Sequence, residues 1–349
     1  MWTDSWFIEG DDAYFVGAEC QILFKANIMS GDIETMAVLP VKDIFSFRGH
    51  PICIKRNDNI YCLPDTENNV FVYSINNKQW KTIDLELGDS DRLNMCLYMS
   101  LDKSFFIGSI SSGRIISILD DTLEIDYDNK IELNDGEKIL FAKIINKSFT
   151  LYTNQSNIYF FDCDNKQIIK RYVDGWFRLY EEIISFERFL CSNNNEVGIA
   201  VMKKNNDLGL SLKDANSQDA FNFSSIEKYK NEIWFVPKKL NKIGVYNTET
   251  KEQRWIEIIE EKNGIFNTYP LRQNYVRLYY RNNNYLGLYS MNMHRVVEID
   301  TQKKKYDILD FRVTKVGTEI IKETLSKSTL IKENNIFTLG GFVTYLNNI

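Results

Sequence analysis

Residues 59–83 read NIYCLPDTENNVFVYSINNKQWKTI and contain three short strand patterns separated by two turns. The run IYCLP is β-branched, aromatic or aliphatic over most of its length, the cluster DTENN at 65–69 is rich in turn-forming residues, and VFVYSI then resumes the strand pattern. After the polar residues 76–78, the run QWKTI alternates polar and apolar residues, which is typical of a half-exposed strand. The stretch therefore predicts a hairpin followed by an outer strand.

The same pattern recurs along almost the whole chain. Taking Tyr73 as the reference, the equivalent positions fall at intervals of 45, 45, 43, 85 and 53 residues: Ile28, Tyr73, Ile118, Phe161, Tyr246 and Ile299. A residue of the following strand lies seven positions later in four copies and nine positions later in one: Trp80, Ile125, Ile168, Tyr306 and Trp255. A residue of the preceding strand lies twelve positions earlier in four copies: Tyr61, Phe106, Phe149 and Trp234.

A period in the low to mid forties with four short strands per unit is typical of β-propeller blades. Such a small sheet cannot bury both faces alone and must pack against like neighbours. The interval of 85 residues is about twice the period and predicts a degenerate blade around residues 188–212. We therefore expect an all-β fold, a seven-bladed β-propeller of four-stranded antiparallel blades. If residues 188–212 form only an elaborated loop, the number of blades is six.

The repeat also predicts the domain organisation. We expect a single propeller domain over 1–349, with blades near 1–40, 41–88, 89–133, 134–174, 175–220, 221–262 and 263–312. Residues 313–349 are expected to close or cap the propeller. Within them, 318–326 (TEIIKETLS) and the apolar spacing of 337–349 favour a short C-terminal helix that covers one rim. A closing strand is the alternative.

Composition limits the class of partner and the cellular compartment. The formal net charge of −6 argues against a general nucleic-acid binder. No stretch approaches the roughly 20 apolar residues of a membrane span, and the start MWTDSWFIEGDD lacks the pattern of a signal peptide. We therefore expect a cytoplasmic monomer, with export of a protein whose signal is missing from this sequence as the alternative.

The cysteines do not predict a metal site or a disulfide framework. They are spread singly along the chain: Cys20, Cys53, Cys62, Cys96, Cys163 and Cys191. We expect buried, reduced thiols in strands. If the protein is exported, some of them could pair.

Candidate ligand residues lie in the connections that enter the inner strands. Arg48, Arg178 and Arg272 carry guanidinium groups that suit a carboxylate or phosphate ligand. Trp176 and Tyr269 in the same connections could stack on a sugar or a nucleobase. Alternatively, the aromatic residues pack between blades and the arginines are solvated.

The two histidines differ in their predicted roles. His50, in the run RGHP, could face the central channel beside Arg48 and contact a ligand, or it could cap the end of a strand. His294 is expected in a surface turn. With only two histidines, a site built on three is excluded, and we expect no metal and no cofactor.

No motif of a known catalytic centre is present in the sequence. It contains no glycine-rich phosphate loop, no HExxH, no GxSxG and no EF-hand pattern. Paired carboxylates for glycoside hydrolysis have candidates in Asp43, Asp91, Asp174 and Glu181. Because a chain with 48 acidic residues always provides such candidates, this signal is weak.

The run NVFVYSINNKQWKTI resembles the third strand, turn and fourth strand of a kelch-type blade. In such blades a Tyr is followed about seven residues later by a Trp on the next strand; here these are Tyr73 and Trp80. The run IGVYNTETKEQRW repeats the pattern with Tyr246 and Trp255. The paired glycines expected at the end of the second strand are replaced by Leu-Pro and Val-Pro. The resemblance implies a propeller scaffold and transfers no functional residue to this chain.

These observations favour a non-enzymatic binding scaffold that presents a ligand face at the propeller axis to a protein, peptide or glycan partner. The alternative is an enzyme that acts on a carbohydrate or small acid in the axial channel, with a carboxylate as acid or base. A quinone-cofactor enzyme has less support, because no Trp and Gly pattern runs through all blades.

Overall fold

A computed structural model of the chain describes residues 6–327, apart from a set of gaps. The gaps are 18–19, 43–48, 66, 87–95, 110–111, 146, 156, 173–178, 185–186, 193–222, 238–241, 248, 251, 259–274, 282–283 and 291–294. The chain divides into two compact units. The first comprises 1–85, 261–267 and 276–349, and the second comprises 86–260 and 268–275.

The first unit holds the first, second and last sheets of the chain. Sheet one consists of β1 (Phe7–Glu9), β2 (Asp12–Val16), β3 (Ile22–Asn27) and β4 (Asp32–Val38). Sheet two consists of β5 (Ile52–Arg56), β6 (Asn59–Leu63), β7 (Asn69–Ser74) and β8 (Gln79–Asp84). Sheet seven consists of β23 (Tyr275–Arg281), β24 (Tyr285–Ser290), β25 (Arg295–Asp300) and β26 (Lys305–Leu309).

The second unit holds sheets three to six. Sheet three consists of β9 (Cys96–Ser100), β10 (Ser104–Ser109), β11 (Arg114–Leu119) and β12 (Ile125–Lys130). Sheet four consists of β13 (Ile139–Ile145), β14 (Ser148–Thr153), β15 (Asn157–Asp162) and β16 (Gln167–Tyr172). Sheet five has two described strands, β17 (Leu179–Ile184) and β18 (Glu187–Ser192). Sheet six consists of β19 (Phe223–Tyr229), β20 (Glu232–Pro237), β21 (Lys242–Asn247) and β22 (Gln253–Glu257).

These sheets are β-propeller blades, and the all-β prediction is confirmed. In each sheet with four described strands, the strands lie in sequence order and neighbours in the sheet are consecutive in the chain. This up-and-down meander is the unit from which propellers are built. The described strands form seven sheets, the number that the seven-bladed prediction requires; six contain this meander, and sheet five has two described strands. The prediction of a single domain stays a prediction.

The strand pairings confirm the repeat in the blades that could be compared, except at one position in blade one and one in blade six. In blade six, Tyr246 pairs with Gln253 and Trp255 pairs with Gly244, so Gln253 and not Trp255 is the equivalent of Trp80. Tyr73 lies opposite Trp80 across β7 and β8, with ring centroids 5.0 Å apart. In blade one, however, Asn27 pairs with Asp12 as Ser74 pairs with Asn59, so Ala26 and not Ile28 is the equivalent of Tyr73. The prediction of Ile28 is wrong because Ala26 is small and does not show the aromatic or β-branched side chain that marks this position in the other blades.

A common turn joins the third and fourth strands of several blades. A side-chain oxygen of the last third-strand residue accepts hydrogen bonds from the backbone N–H groups two and three positions later, at 2.9–3.2 Å. The residues are Asn27, Asp162, Asn247 and Asp300. The fourth position after them is left-handed at Gly31, Lys166 and Lys304, with φ of 76°, 53° and 57°. Asn and Asp favour such turns because their side chains replace a backbone acceptor.

The C-terminal segment adds a strand and a helix to blade one. Strand β27 (Arg312–Val313) pairs in parallel with β4 and is followed by helix α1 (Lys315–Lys327). The helix prediction for 318–326 is confirmed, and the alternative of a closing strand is present as well. The segment passes so close to Gly31 that a Cβ atom there would clash with the backbone oxygen of Asp310. The predicted apolar spacing at 337–349 lies outside the described residues.

Apolar cores join neighbouring blades within each unit. In the first unit, Trp6 stacks on Phe15 at 4.9 Å, and Tyr289 of sheet seven belongs to the same buried cluster. In the second unit, Phe106 of sheet three and Phe161 of sheet four are 5.6 Å apart in a shared core. Blades one and seven therefore pack together, as do blades three and four.

A buried ion pair accompanies the packing of sheets seven and one. The Arg281 guanidinium donates to both carboxylate oxygens of Glu298, at 3.1 Å and 2.7 Å, and lies 3.6 Å from the carboxylate of Asp11 on blade one. Its carbon centre lies 4.6 Å from the ring of Tyr285. Arg281 is 8% exposed and Glu298 is 7% exposed, so the pair is shielded from water.

The described cysteines agree with the expectation of buried thiols. Cys20, Cys53, Cys62 and Cys163 are buried, and none of the four is in a disulfide. Burial raises the pKa of the Cys53 thiol far above its ordinary range, which keeps it protonated. The side chains of Cys96 and Cys191 lie outside the description. No helix among the described residues has the length and apolar character that a bilayer crossing requires.

Candidate functional site

The predicted ligand residues lie in one kind of segment, which we call the connection rim. It comprises the residues that lead from the fourth strand of one blade to the first strand of the next, together with the turn between the second and third strands. In an up-and-down meander these two segments lie at the same end of the sheet, because alternate strands run in opposite directions. The rim is described best in blades two and four.

In blade two, His50 lies just before β5 and is fully buried. Its Nε2 lies 2.9 Å from the backbone oxygen of Asn69, to which it donates in the neutral tautomer. Its Nδ1 lies 3.2 Å from Oε1 of Gln21 in blade one; because a neutral imidazole has one N–H, it donates to only one of these two oxygens. The ring centroid is 4.6 Å from that of Phe71. Burial lowers the pKa of His50 to about 4, so the ring is neutral at pH 7. The residue ties the connection to both blades.

In blade four, Glu137 lies just before β13 and is 6% exposed. Its carboxylate accepts hydrogen bonds from the amide of Asn157 at 2.7 Å, the hydroxyl of Tyr159 at 2.9 Å and the backbone N–H of Asn134 at 2.9 Å. The hydroxyl of Thr153 donates to it as well. Burial raises the pKa of Glu137, but the four hydrogen bonds outweigh it and the net pKa is lowered. The carboxylate is therefore held charged.

We call each of these two arrangements a clamp: His50 with Asn69 in blade two, and Glu137 with Asn157 in blade four. The two clamps occupy equivalent places in the repeat. Asn69 and Asn157 are the first residues of the third strands β7 and β15, and each lies four positions before the reference residue of its blade. In each case a buried polar side chain from the incoming connection holds this first residue, through its backbone in blade two and its side chain in blade four. The repeat thus conserves the geometry of the clamp but not the residue that makes it.

Around Glu137 the exposed part of the connection is also fixed. The amide of Gln155 donates to the backbone oxygen of Asp135 at 2.7 Å, and the side chain of Asn154 accepts from the backbone N–H of Lys138 at 2.8 Å. The ammonium of Lys170 on β16 donates to the side-chain oxygen of Asn134 at 3.1 Å. The connection into blade four is therefore bonded to the turn and to the outer strand of its own blade.

Of the sequence-predicted ligand residues, His50 is within the described part of the chain. The others lie outside it: Arg48, Trp176, Arg178, Tyr269 and Arg272. His294 and the candidate acids Asp43, Asp91 and Asp174 also lie outside it, and Glu181 lies in β17, whose side chains are not described. The ligand roles of these residues stay predictions. Among the described residues, no group of three His, Cys, Asp or Glu side chains is placed to hold a metal ion.

Sequence reasoning placed Ile168 in the outer strand of blade four but missed the exposure of that strand. Strand β16 reads QIIKRY, and all six of its residues are exposed. Ile168, Ile169 and Tyr172 are 39%, 48% and 68% exposed, and they are three of the five large apolar side chains that are exposed among the described residues. The signal in the sequence was the pair of adjacent isoleucines next to Lys and Arg in a strand without an acid.

The comparisons with known proteins give little beyond a distant structural likeness. No protein-family model matches the chain, and no curated protein matches its sequence. Among solved structures the chain is similar to BamB from Moraxella catarrhalis, with 10% sequence identity over 86% of this chain and 73% of that one. The TM-score is 0.37. The comparisons provide no specific support for the kelch resemblance.

Proposed function

We propose that this protein is a non-enzymatic binding scaffold that holds a protein, peptide or glycan ligand on the connection rim of its blades. The observation that carries the proposal is the repeated clamp. In it, the buried polar side chains of His50 and Glu137 fix the segments that enter two inner strands. Loops on a rigid scaffold are the usual place for recognition, and fixing them before binding reduces the entropy lost on association.

The proposed contacts are assigned within each unit separately. In the first unit, Arg48 would contact the ligand. Because both ring nitrogens of His50 lie against protein groups, we assign to His50 the support of that segment. In the second unit, Trp176 and Arg178 would contact the ligand from one connection, with Tyr269 and Arg272 from another.

The enzyme alternative lacks a supporting observation among the described residues. Two buried acidic residues lie on the described rim, Asp65 and Glu137. Glu137 accepts four hydrogen bonds and its pKa is lowered. A general acid at neutral pH needs the opposite shift, toward 6 or 7. Glu137 therefore fits the role of a structural clamp.

A thermal-shift screen of the full chain against peptides, glycans, phosphates and divalent metals tests the proposal. A ligand at 100 times its Kd should add about 2.7 kcal/mol to the unfolding free energy and raise Tm. Arg48→Ala or Arg178→Ala should abolish this shift without changing the Tm of the free protein. Lys78→Ala is the matched control, because Lys78 is an exposed cation in the turn at the opposite end of blade two.

The screen can also contradict the proposal. No shift with any peptide or glycan would refute binding on the rim. A shift that survives both arginine substitutions would refute the assigned residues. A shift with a metal, or turnover of a sugar or small acid, would favour the enzyme alternative.

A further inference from the structure

The outer strand of blade four offers a second surface, which adjoins the connection rim where Lys170 donates to Asn134. We call it the β16 edge and define it as Gln167–Tyr172. Among the described strands, β16 is the last of its sheet, with β15 on its inner side. Along the outer side of an edge strand, alternate N–H and C=O groups face away from the sheet and can pair with another strand.

The side chains of the β16 edge differ from those of the other outer strands. The described residues equivalent to Ile168 are half-buried at Trp80, Ile125 and Tyr306, whereas Ile168 is exposed. The edge carries Lys170 and Arg171 and no acidic residue, although the protein has a net charge of −6. Outer strand β12, in the neighbouring blade of the same unit, reads IDYDNK and is acidic on balance. Among the described outer strands, β16 is therefore the one that exposes large apolar side chains and carries a net positive charge.

The cations of the edge are held in place by aromatic rings. The ammonium of Lys170 lies 5.2 Å from the ring centroid of Tyr159, and the guanidinium carbon of Arg171 lies 5.3 Å from that of Phe160. Both cations nevertheless belong to exposed residues. Because their positions are restrained, an acid that pairs with them meets a prearranged positive charge, which favours association.

The chain itself shows how such an edge is filled. On the outer side of β4, the short strand β27 adds in parallel. The residue of β27 opposite Asp32 is Arg312, so the added strand brings the charge opposite to that of the edge. Strand β4 also carries Glu34 and no basic residue. By the same logic, the basic β16 edge suits an added strand that carries acids.

We propose that the β16 edge binds an extended acidic segment of a partner protein, which adds to blade four as a fifth strand. Main-chain hydrogen bonds supply the affinity common to any added strand, and alternate side chains supply the selectivity. Apolar side chains of the segment cover Ile169 and Tyr172, and its carboxylates pair with Lys170 and Arg171.

Selection of random 12-residue peptides displayed on phage against the full-length protein tests this proposal. Enriched peptides should combine Asp or Glu with β-branched or aromatic residues. Their binding, measured by fluorescence anisotropy, should weaken on Arg171→Glu and on Ile169→Glu by at least about tenfold, the size expected when a desolvated charge or apolar contact is lost. Replacing a central peptide residue with Pro should weaken binding too, because Pro lacks the N–H that a strand needs.

Lys305→Glu is the matched control, because Lys305 is an exposed cation on β26, the outer strand of blade seven. This substitution makes the same change of charge on a different outer edge and should leave the Kd within about twofold. Unchanged Tm values exclude unfolding of the variants as the cause of weaker binding.

The other outcomes overturn the proposal. A library that yields no binder, or binders equally affected by Lys305→Glu, contradicts it. Binding of single-stranded RNA at the same residues would identify a different class of partner. A concentration-dependent dimer in light scattering that is lost in Ile169→Glu would identify a second copy of this chain as the occupant.

Discussion

Replacing Glu137 with alanine removes the acceptor that four donors share at the entry to blade four. Three of these donors belong to side chains that are themselves buried: Thr153, Asn157 and Tyr159 are 0%, 6% and 2% exposed. A buried donor left without an acceptor costs about 1–3 kcal/mol. Water can enter the space left by the side chain and accept hydrogen bonds from some of these donors. We therefore expect the unfolding free energy to fall by about 3–5 kcal/mol.

Glu137→Gln separates the loss of charge from the loss of volume. One amide oxygen can still accept, but the NH₂ group faces donors, so we expect a smaller loss of about 1–3 kcal/mol. Glu132→Gln is the matched control, because Glu132 is an exposed carboxylate five positions earlier in the same connection. It should change the unfolding free energy by less than about 0.5 kcal/mol.

The effect of pH follows from the lowered pKa of Glu137. A carboxyl group whose pKa is lower in the folded protein stabilises it above the ordinary glutamate pKa of 4.5, and this contribution is lost as pH falls through the lower folded value. The difference between wild type and Glu137→Gln should therefore be largest near pH 7 and shrink below pH 4.5. Urea unfolding followed by tryptophan fluorescence at several pH values measures it. A loss below about 1 kcal/mol for Glu137→Ala, or a difference from Glu137→Gln that does not depend on pH, would refute the clamp.

Three further predictions concern the first unit. Because burial lowers the pKa of His50 to about 4, the unfolding free energy of wild type should fall by up to about 1.4 kcal/mol per pH unit relative to His50→Gln between pH 6.5 and 4. Parallel pH profiles of the two unfolding free energies would contradict this. Gly31→Ala should cost at least about 2 kcal/mol more than Gly10→Ala in urea unfolding, since both are left-handed but only Gly31 meets a backbone oxygen. Arg281→Met should cost about 3–5 kcal/mol and the double variant with Glu298→Met less, as measured by a double-mutant cycle; additive losses would argue against the buried pair.

The blades could be predicted because the signals that define them are local. A strand pattern, a turn rich in Asn and Asp, and a second strand pattern all lie within about 25 residues, as in 59–83. The third-to-fourth turn is coded by one residue, such as Asp162, whose side chain bonds the next backbone N–H groups. The predicted reference position in blade one is wrong because the turn begins at Asn27, whose side chain accepts from the backbone N–H of Met29. Ile28 therefore lies within the turn and not in the strand before it.

The clamps could not be predicted because their partners are far apart in the sequence and differ in type. His50 reaches Asn69 over 19 residues and Glu137 reaches Asn157 over 20, but one clamp is an imidazole and the other a carboxylate. A search for one residue type at a fixed spacing misses both. The alternative prediction that His50 caps a strand end is close to what the structure shows, because the ring bonds the first residue of β7. The β16 edge was equally hidden, since exposure of Ile169 depends on what packs beside the strand.

Although the two clamps use different chemistry, acidification acts on both in the same direction. His50 is held neutral by burial, so a proton brings a charge that its surroundings disfavour; Glu137 is held charged by its donors, so a proton removes the charge that they stabilise. Backbone hydrogen bonds between the strands do not titrate in this range. Mild acid should therefore weaken the connection rim before it weakens the sheets, first in blade two and then in blade four. At such a pH the loops of the rim would lose their order while the sheets stay folded. Because the proposed binding depends on ordered loops, ligand binding should then be lost before the protein unfolds.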